Sequence, residues 1–387
     1  MEQADPVISH DWDRPNPGAY TARERLLRVL RHEQTDRLPI VPTALTPFTW
    51  HVDFPVYHPV LEVAKKHCEF MASFGVPGSL GLCDPELLEM TVEKEEQGTR
   101  QIRTTTLRTP KGPLTQVRIH DVEVGSWGTK KFFVENDEDL AKWESLPYEP
   151  FRPTLEGLDA FDAKVGDAGL PYMNGVTNAL TTAVGSLGEE FRAIFCFTQP
   201  DRLRRMVERA QERVYHFVEH LLDQGGGPVF RWYSIEPYVE PVMPPRFVKE
   251  FIVPYDKEVV KLIHDRGRHV IMHCHGRLKA QIKHIVEIGV DGVDCVECPP
   301  QNDATLAEMF ELAEGRLFLW GYIQFEDLAR FTGDEIEQKV REAIEMGGTD
   351  GRYVLGQAAS PWSADVSQRT VDNWIRMIES GVKYGGH

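Results

Sequence analysis

Basic runs, long apolar runs and cysteine-dense spacing are all missing from this chain of 387 residues. Lys plus Arg is 43 against 60 Asp plus Glu, a formal charge of −17, and no basic block is long enough to follow a phosphate backbone. Nucleic-acid binding is therefore not expected. An acidic surface repels polyanions in general but says little about a small anionic substrate, which feels local charges. No apolar run approaches the roughly 18–20 residues a membrane helix needs. Six cysteines, at 68, 83, 196, 274, 295 and 298, are too few and too irregular for a disulfide framework. A reducing cytoplasm is the expected location. The opening Met1-Glu-Gln-Ala-Asp-Pro6 has no basic region followed by an apolar core, so no secretory leader is expected. Neither a G-x-G-x-x-G fingerprint nor a G-K-[ST] loop opens any helix, which disfavours dinucleotide and nucleoside-triphosphate chemistry.

What is present is an alternation of strand-like and helix-like segments. Residues 1–20, rich in Pro, Asp and His, carry no periodicity and read as an arm that lies on the surface or reaches a neighbouring subunit, which leaves a homodimer open. Thr21-Ala-Arg-Glu24 is a capping box ahead of the apolar stripe Leu26, Leu27, Val29, Leu30. Asp36 to Pro42 leads into a short strand near Pro39, Leu61 to Phe74 reads as a helix and Ser79 to Asp84 as a second strand. Over about 91–134 the pattern turns antiparallel, with Gln101 to Leu107 and Leu114 to Ile119 joined by Thr109-Pro-Lys-Gly112. From Leu170 a regular βα rhythm runs to Tyr384. Strands alternating with helices of ten to twenty residues mean a parallel sheet with crossovers. The expected fold is a single (β/α)8 TIM barrel over 21–387, with the arm before it and a small β-hairpin insertion within it.

Two stretches concentrate the chemistry, Arg268-His-Val-Ile-Met-His-Cys-His-Gly276 and Gly289-Val-Asp-Gly-Val-Asp-Cys-Val-Glu-Cys-Pro-Pro300. Each is a β-branched apolar run ending in metal-competent residues. Strand alternation puts Ile271, His273 and His275 on one face and Met272 and Cys274 on the other, and groups Val293, Cys295 and Glu297. Two imidazoles and a carboxylate at adjacent strand ends outline a divalent-metal site, although His-x-His alone is as often structural. A charge ending an apolar run needs a partner, so Glu297 moves the balance toward metal. Cys295-x-x-Cys298 is discounted, its sulfurs expected on opposing faces and no second pair existing to complete a four-thiolate site. Other strand ends offer Trp232, Glu236, Tyr238, Tyr322, Gln324 and Gln357, with Asp84 and Asn174 behind them. Glu236 sits at the C-terminal rim as a general acid or base, or else pairs with Arg231 or Arg246. Gln357 equally suits strand-end hydrogen bonding. Trp50, Trp232 and Trp362 wall an apolar pocket or belong to the core.

Thr21-Ala-Arg-Glu-Arg-Leu26, Asp36-Arg-Leu-Pro-Ile40, Pro244-Pro-Arg-Phe247 with Glu250-Phe-Ile-Val-Pro-Tyr255, His273-Cys-His-Gly276 and Lys383-Tyr-Gly385 together resemble the uroporphyrinogen decarboxylase superfamily. The resemblance runs from about Thr21 to Gly385, and the Thr109-Pro-Lys-Gly112 element is similar to one in its corrinoid-linked methyltransferase branch. It implies a (β/α)8 barrel and two competing chemistries. True decarboxylases hold porphyrinogen carboxylates with arginines after the first strand, whereas Thr43 to Asp53 here contains no Arg or Lys. The methyltransferase branch carries zinc on His-x-Cys, sometimes a Glu on the next strand, and a distal Cys. His273, His275 and Glu297 fall on the first three positions, and the fourth has no counterpart in Gly356-Gln-Ala-Ala-Ser-Pro-Trp362.

The resemblance therefore implies a zinc-dependent methyltransferase moving a methyl group between a corrinoid or other methyl donor and a small acceptor, the metal activating the acceptor, and leaves a corrinoid protein open as a partner. A decarboxylase or lyase acting on a non-porphyrin carboxylic acid is the rival, and a non-catalytic corrinoid- or ligand-binding module the third reading. An amidohydrolase would need further histidines downstream, and only His284 and His387 follow.

Overall fold

The computed structural model describes residues 18–48, 50–121, 126–359 and 366–386. Trp362 and most of the N-terminal arm lie outside them, as does the side chain of Trp50. The chain divides into two compact units, one of residues up to 76 with 155–176 and 225–387, the other of 77–154 with 177–224. No described helix is long and apolar enough to cross a membrane.

Eleven strands are described: β1 Phe70–Gly75, β2 Met90–Gln97, β3 Arg100–Thr109, β4 Gly112–Asp121, β5 Ser126–Lys131, β6 Gly169–Thr177, β7 Val229–Tyr233, β8 His269–His273, β9 Gly292–Val296, β10 Phe318–Ile323 and β11 Tyr353–Gln357. In the first unit β1, β6, β7, β8, β9, β10 and β11 form one curled parallel sheet in that order. Helices fill the crossovers, because parallel neighbours cannot be joined by a tight turn. The result is a TIM-like α/β fold. The ladder contains seven strands rather than eight. Pro39 to Val41 contributes a single bridge, Ile40 to Leu355, with Val41 N–H donating to Leu355 O at 2.8 Å and Glu69 N–H donating to Ile40 O at 2.9 Å.

The sheet's inner face is a continuous apolar core of Val41, Met71, Tyr172, Val229, Ile271, Phe318, Trp320 and Val354, joined by Leu26, Val29 and Leu30 of the helix Ala22–Leu30. That helix opens on the expected capping box, Thr21 Oγ1 accepting from Glu24 N–H at 3.1 Å while the Glu24 carboxylate accepts from Thr21 N–H at 2.8 Å. Gly356 lets the Val41 backbone come close, since a Cβ there would stand 2.4 Å from Val41 O. The Trp320 indole donates to that same carbonyl at 2.9 Å.

Charges that look like surface decoration in the sequence tie the first strand to this unit. Arg25 and Glu69 are fully buried. Arg25 bonds Asp36 at 2.7 Å and Glu69 at 2.8 Å, Arg37 reaches the same Glu69 oxygen at 2.8 Å, and the second Glu69 oxygen accepts from Ile40 N–H at 2.8 Å. Buried charges persist only when paired and bonded in this way.

Two carboxylates in this unit make its stability acid-sensitive. Burial would raise both pKa values, yet Arg25 brings Asp36 down to about 2, and the His264 and His269 imidazoles with Val270 N–H bring Asp291 down to about 2. A depressed carboxylate pKa adds stability above its ordinary value of 3.8 that is lost as pH falls through 2. Thermal melts followed by circular dichroism should hold steady from neutrality to about pH 5 and fall steeply between about pH 4 and 2. A flat profile there would contradict these pairings.

The second unit holds β2, β3, β4 and β5 as an antiparallel meander, with helices Asp137–Trp143, Ala179–Val184, Glu189–Thr198 and Pro200–Asp223. The antiparallel region, expected as a hairpin or a small meander, is a meander of four strands.

Two expected elements are corrected. The helix over 61–74 ends at His67, and Phe70 to Gly75 is β1. Ser79 to Asp84 is not a strand but short turns around Leu80–Leu82 and Pro85–Leu87, with Cys83 bridging Pro150. A short apolar run such as Phe70-Met-Ala-Ser-Phe74 suits helix and strand equally, so period cannot decide between them. Residues 245–265 form two successive helices, Pro245–Phe251 and Val253–Asp265.

Candidate active site

Three parallel strands end at one place. β8 delivers His273 as its last residue and β9 delivers Asp294, Cys295 and Val296, with Glu297 next. β7 supplies Arg231 and Tyr233 on the face that carries core residue Val229. His275 lies just past β8, its ring edge-to-face with His273 at 4.9 Å. Ligand atoms of His273, His275 and Cys295 all lie within 4.8 Å of one another. Glu297 stands beside them, Oε1 at 3.6 Å from His275 Nδ1.

Each donor is held from behind. Glu297 accepts from Gly276 N–H at 2.8 Å and from the Gln324 amide at 3.4 Å. Burial would raise the Glu297 carboxyl and lower the His275 imidazole, but their pairing reverses both, so Glu297 is lowered and His275 raised. His273 Nδ1 lies 3.3 Å from Asp294 Oδ1 and 2.9 Å from Arg231 Nη2, while its Nε2 faces Glu236 Oε2 at 3.5 Å. Asp294 is fully buried, and Arg231 bonds its Oδ2 through Nη2 at 2.6 Å and Nε at 2.8 Å. Burial pushes the Asp294 carboxyl up, and Arg231 with His273 more than offsets it, to about 2. With Nδ1–H given to Asp294, Nε2 presents the lone pair that metal-ligating histidines use; with Nδ1 accepting from Arg231, the shorter contact, Nε2 carries the proton and faces Glu236. The Cys295 thiol is pushed well up, by burial first and then by Asp294. A cation in the site would bring it down.

The donor set fits zinc. Bonds of about 2.0–2.3 Å at tetrahedral angles put ligand atoms about 3.5 Å apart. Donors within 4.8 Å need a closure of about an ångström, within reach of side-chain rotation. One thiol and two imidazoles make a softer site than the His/His/Glu set expected from the sequence.

Several strand-end residues are not part of this cluster. Trp232 lies on the other face of β7, fully buried, its indole donating to Asp256 at 2.9 Å. Tyr238 is buried against Phe247. Tyr322 sits with Cys298, Lys339 and the Leu306 backbone. Gln357 is fully buried and locked to Thr43, donating to its carbonyl at 2.7 Å and accepting from its N–H at 3.1 Å. Asp84 caps a turn at Glu86 N–H, and Asn174 is half-buried near the end of β6. Cys274 is buried, its thiol turned to His275 O. Glu236 meets His273, not Arg231.

Sequence pattern does not point to Asp294, Arg231 and Tyr233, and it discounts Cys295. The signal for Arg231 is a lone cation inside Val229-Phe-Arg-Trp-Tyr233, on the parity of a core residue. Strict alternation hides Asp294, because β9 slips against β10 between Trp320 and Gly321. Asp294 pairs with Trp320 and Val296 with Gly321, leaving Cys295 as the extra residue, so neighbours that should alternate both reach the site.

A parallel α/β sheet with metal-competent side chains at its C-terminal strand ends defines a class of barrel-like enzymes. Residues 132–371 match the uroporphyrinogen decarboxylase (URO-D) family, and the chain belongs to that family. In structure the chain is similar to a methyltransferase from Methanosarcina mazei, 15% identical, TM-score 0.58, over 94% of this chain and 99% of that one. It also aligns with D-psicose 3-epimerase from Clostridium cellulolyticum H10, solved with D-tagatose, 10% identical, TM-score 0.36, over 59% of this chain and 83% of that one. No curated protein is a significant match in sequence.

Proposed function

We propose that this URO-D family member is a zinc-dependent methyltransferase, moving a methyl group between a corrinoid and a small acceptor. The observation that carries the reading is the gathering of His273, His275 and Cys295 donor atoms within 4.8 Å at the ends of β8 and β9. The absence of Arg and Lys from Thr43 to Asp53 supports it against a polycarboxylate substrate. The chain is read as a (β/α)8 barrel over 21–387, with Pro39 to Val41 as the eighth stave and an antiparallel insertion at about 91–134, working in the cytoplasm with a small-molecule substrate and a corrinoid protein as methyl carrier.

His273, His275 and Cys295 hold the metal, with Glu297 in reach as a fourth donor. Bound zinc supplies a Lewis acid that makes an acceptor thiol more acidic. The chain's own residues orient and move protons around it. Asp294 and Arg231 fix the His273 ring, and Gln324 with Gly276 N–H fix Glu297. Glu236, its side chain 43% exposed and 3.5 Å from His273, is placed to take the acceptor's proton at Oε2 and pass it to solvent.

The test is demethylation of methylcobalamin by zinc-loaded protein with a panel of small thiols, followed by the cobalamin spectrum. Saturable, zinc-dependent transfer to at least one thiol is expected, and its absence from the whole panel would sink the reading.

A further inference from the structure

A second site lies in the unit of residues 77–154 and 177–224, and it is independent of the methyl-transfer reading. The geometry points to a binding site for a small oxyanion with a short apolar tail, such as an alkyl phosphomonoester, between the helix Pro200–Asp223 and the turns after Ser79.

The helix surface carries Arg202, Arg205, Arg209 and Arg213 at spacings of three, four and four, so all four lie along one face. Like charges at this spacing repel. Two of the four have their counter-charge or seat. Arg202 holds Glu144 at 2.8 Å and Asp137 at 3.0 Å. Arg213 donates to Gly81 O at 3.1 Å and stacks on the Tyr148 ring at 3.9 Å. Arg205 and Arg209 are exposed, and no described carboxylate pairs with either. The chain has 17 more acidic than basic residues, so two unpaired arginines side by side stand out against the general field. The repulsion also reaches Arg213, whose pKa is lowered, by burial first and by Arg209 in addition.

A groove of about 210 Å³ is lined by Arg202, Arg205, Arg209, Met206 and Glu144. It shares Arg209, Met206 and Glu144 with a cavity of about 80 Å³ whose walls include Leu80, Leu88, Trp143 and Leu146. Thr182 lines that cavity, its hydroxyl buried and without a partner among the described residues. Glu144, the acidic residue in both linings, is already neutralised by two bonds from Arg202 at 2.8 and 3.3 Å. Adjacent guanidiniums recognise phosphate or carboxylate by paired N–H bonds. The cavity is smaller than the roughly 150 Å³ that accommodates benzene, so the tail it takes is a short chain rather than a ring. An apolar pocket with a few convergent polar groups is the ordinary form of a small-molecule site.

The experiment is isothermal titration calorimetry of the full chain with n-butyl phosphate, inorganic phosphate and n-butanol. Butyl phosphate should bind at one saturable site, with inorganic phosphate at least about tenfold weaker and butanol silent. Arg205→Ala and Arg209→Ala should each weaken butyl phosphate at least about tenfold, while thermal stability stays level or rises, because each removes a like-charge neighbour. Both side chains are exposed, so the variants fold. Ala183→Leu, which fills the cavity wall, should remove the advantage of butyl phosphate over inorganic phosphate. Absence of saturable heat, binding unchanged in both arginine variants, or inorganic phosphate binding as tightly as the ester would each overturn the proposal.

Discussion

Asp294→Ala is expected to destabilise the protein by about 3–5 kcal/mol, the cost of leaving one member of a buried ion pair alone. Asp294 is fully buried and Arg231 nearly so, with side-chain exposures of 0% and 11%, and two bonds of 2.6 and 2.8 Å join them. Removing the carboxylate leaves a guanidinium facing the Tyr172 and Tyr233 rings, with the Tyr233 hydroxyl at 2.8 Å and His273 Nδ1 at 2.9 Å as neutral acceptors in place of a charge. Asp294→Asn keeps the shape and one acceptor and should cost less. The double variant Arg231→Met/Asp294→Leu should recover most of the loss, since apolar replacement of a buried pair is often neutral or stabilising. Urea midpoints for these proteins check this, and the single variants Arg231→Met and Asp294→Leu complete the cycle. A double-mutant coupling near zero would mean the pair does not act as a unit.

His273→Ala and His275→Ala are each expected to lower zinc affinity by well over the 10–100-fold that changes behind a ligand cost, because each removes a donor outright. Cys295→Ala should do the same, since its sulfur lies with both imidazoles. Asp294→Asn, which reaches His273 at Nδ1 and Arg231 behind it but supplies no ligand, should fall within that 10–100-fold range. Cys274→Ala is the control, its thiol turned away to His275 O, and should bind zinc like the parent. Competition against a chromophoric chelator reads all five. Loss of affinity in Cys274→Ala but not in Cys295→Ala would mean that the strand delivers the other sulfur.

The parallel α/β architecture and the place of the site are legible in the sequence because a buried strand carries His or Glu at its end only where a partner waits for the charge. His273, His275 and Glu297 lie side by side for that reason. The rest depends on tertiary context. Phe70 to Phe74 has no period that separates strand from helix. Asp294 and Cys295 share the site through a one-residue slip of β9 against β10, which alternation cannot foresee. Arg231 looks like a partner for the nearby Glu236, whereas its carboxylate comes from a strand 63 residues away. Trp232 and Gln357 stand at strand ends as site residues do, yet each is spent on a structural bond, one to Asp256 and one to Thr43. Position along a strand is visible in the sequence, and the face presented is not.

The proposed metal centre of His273, His275 and Cys295 is tested by elemental analysis of the purified protein after zinc loading and extensive dialysis. Close to one zinc per chain is expected in the parent and in Cys274→Ala, and almost none in His275→Ala. A parent protein that keeps no metal under these conditions would contradict it and leave a metal-free decarboxylase as the better reading of the site.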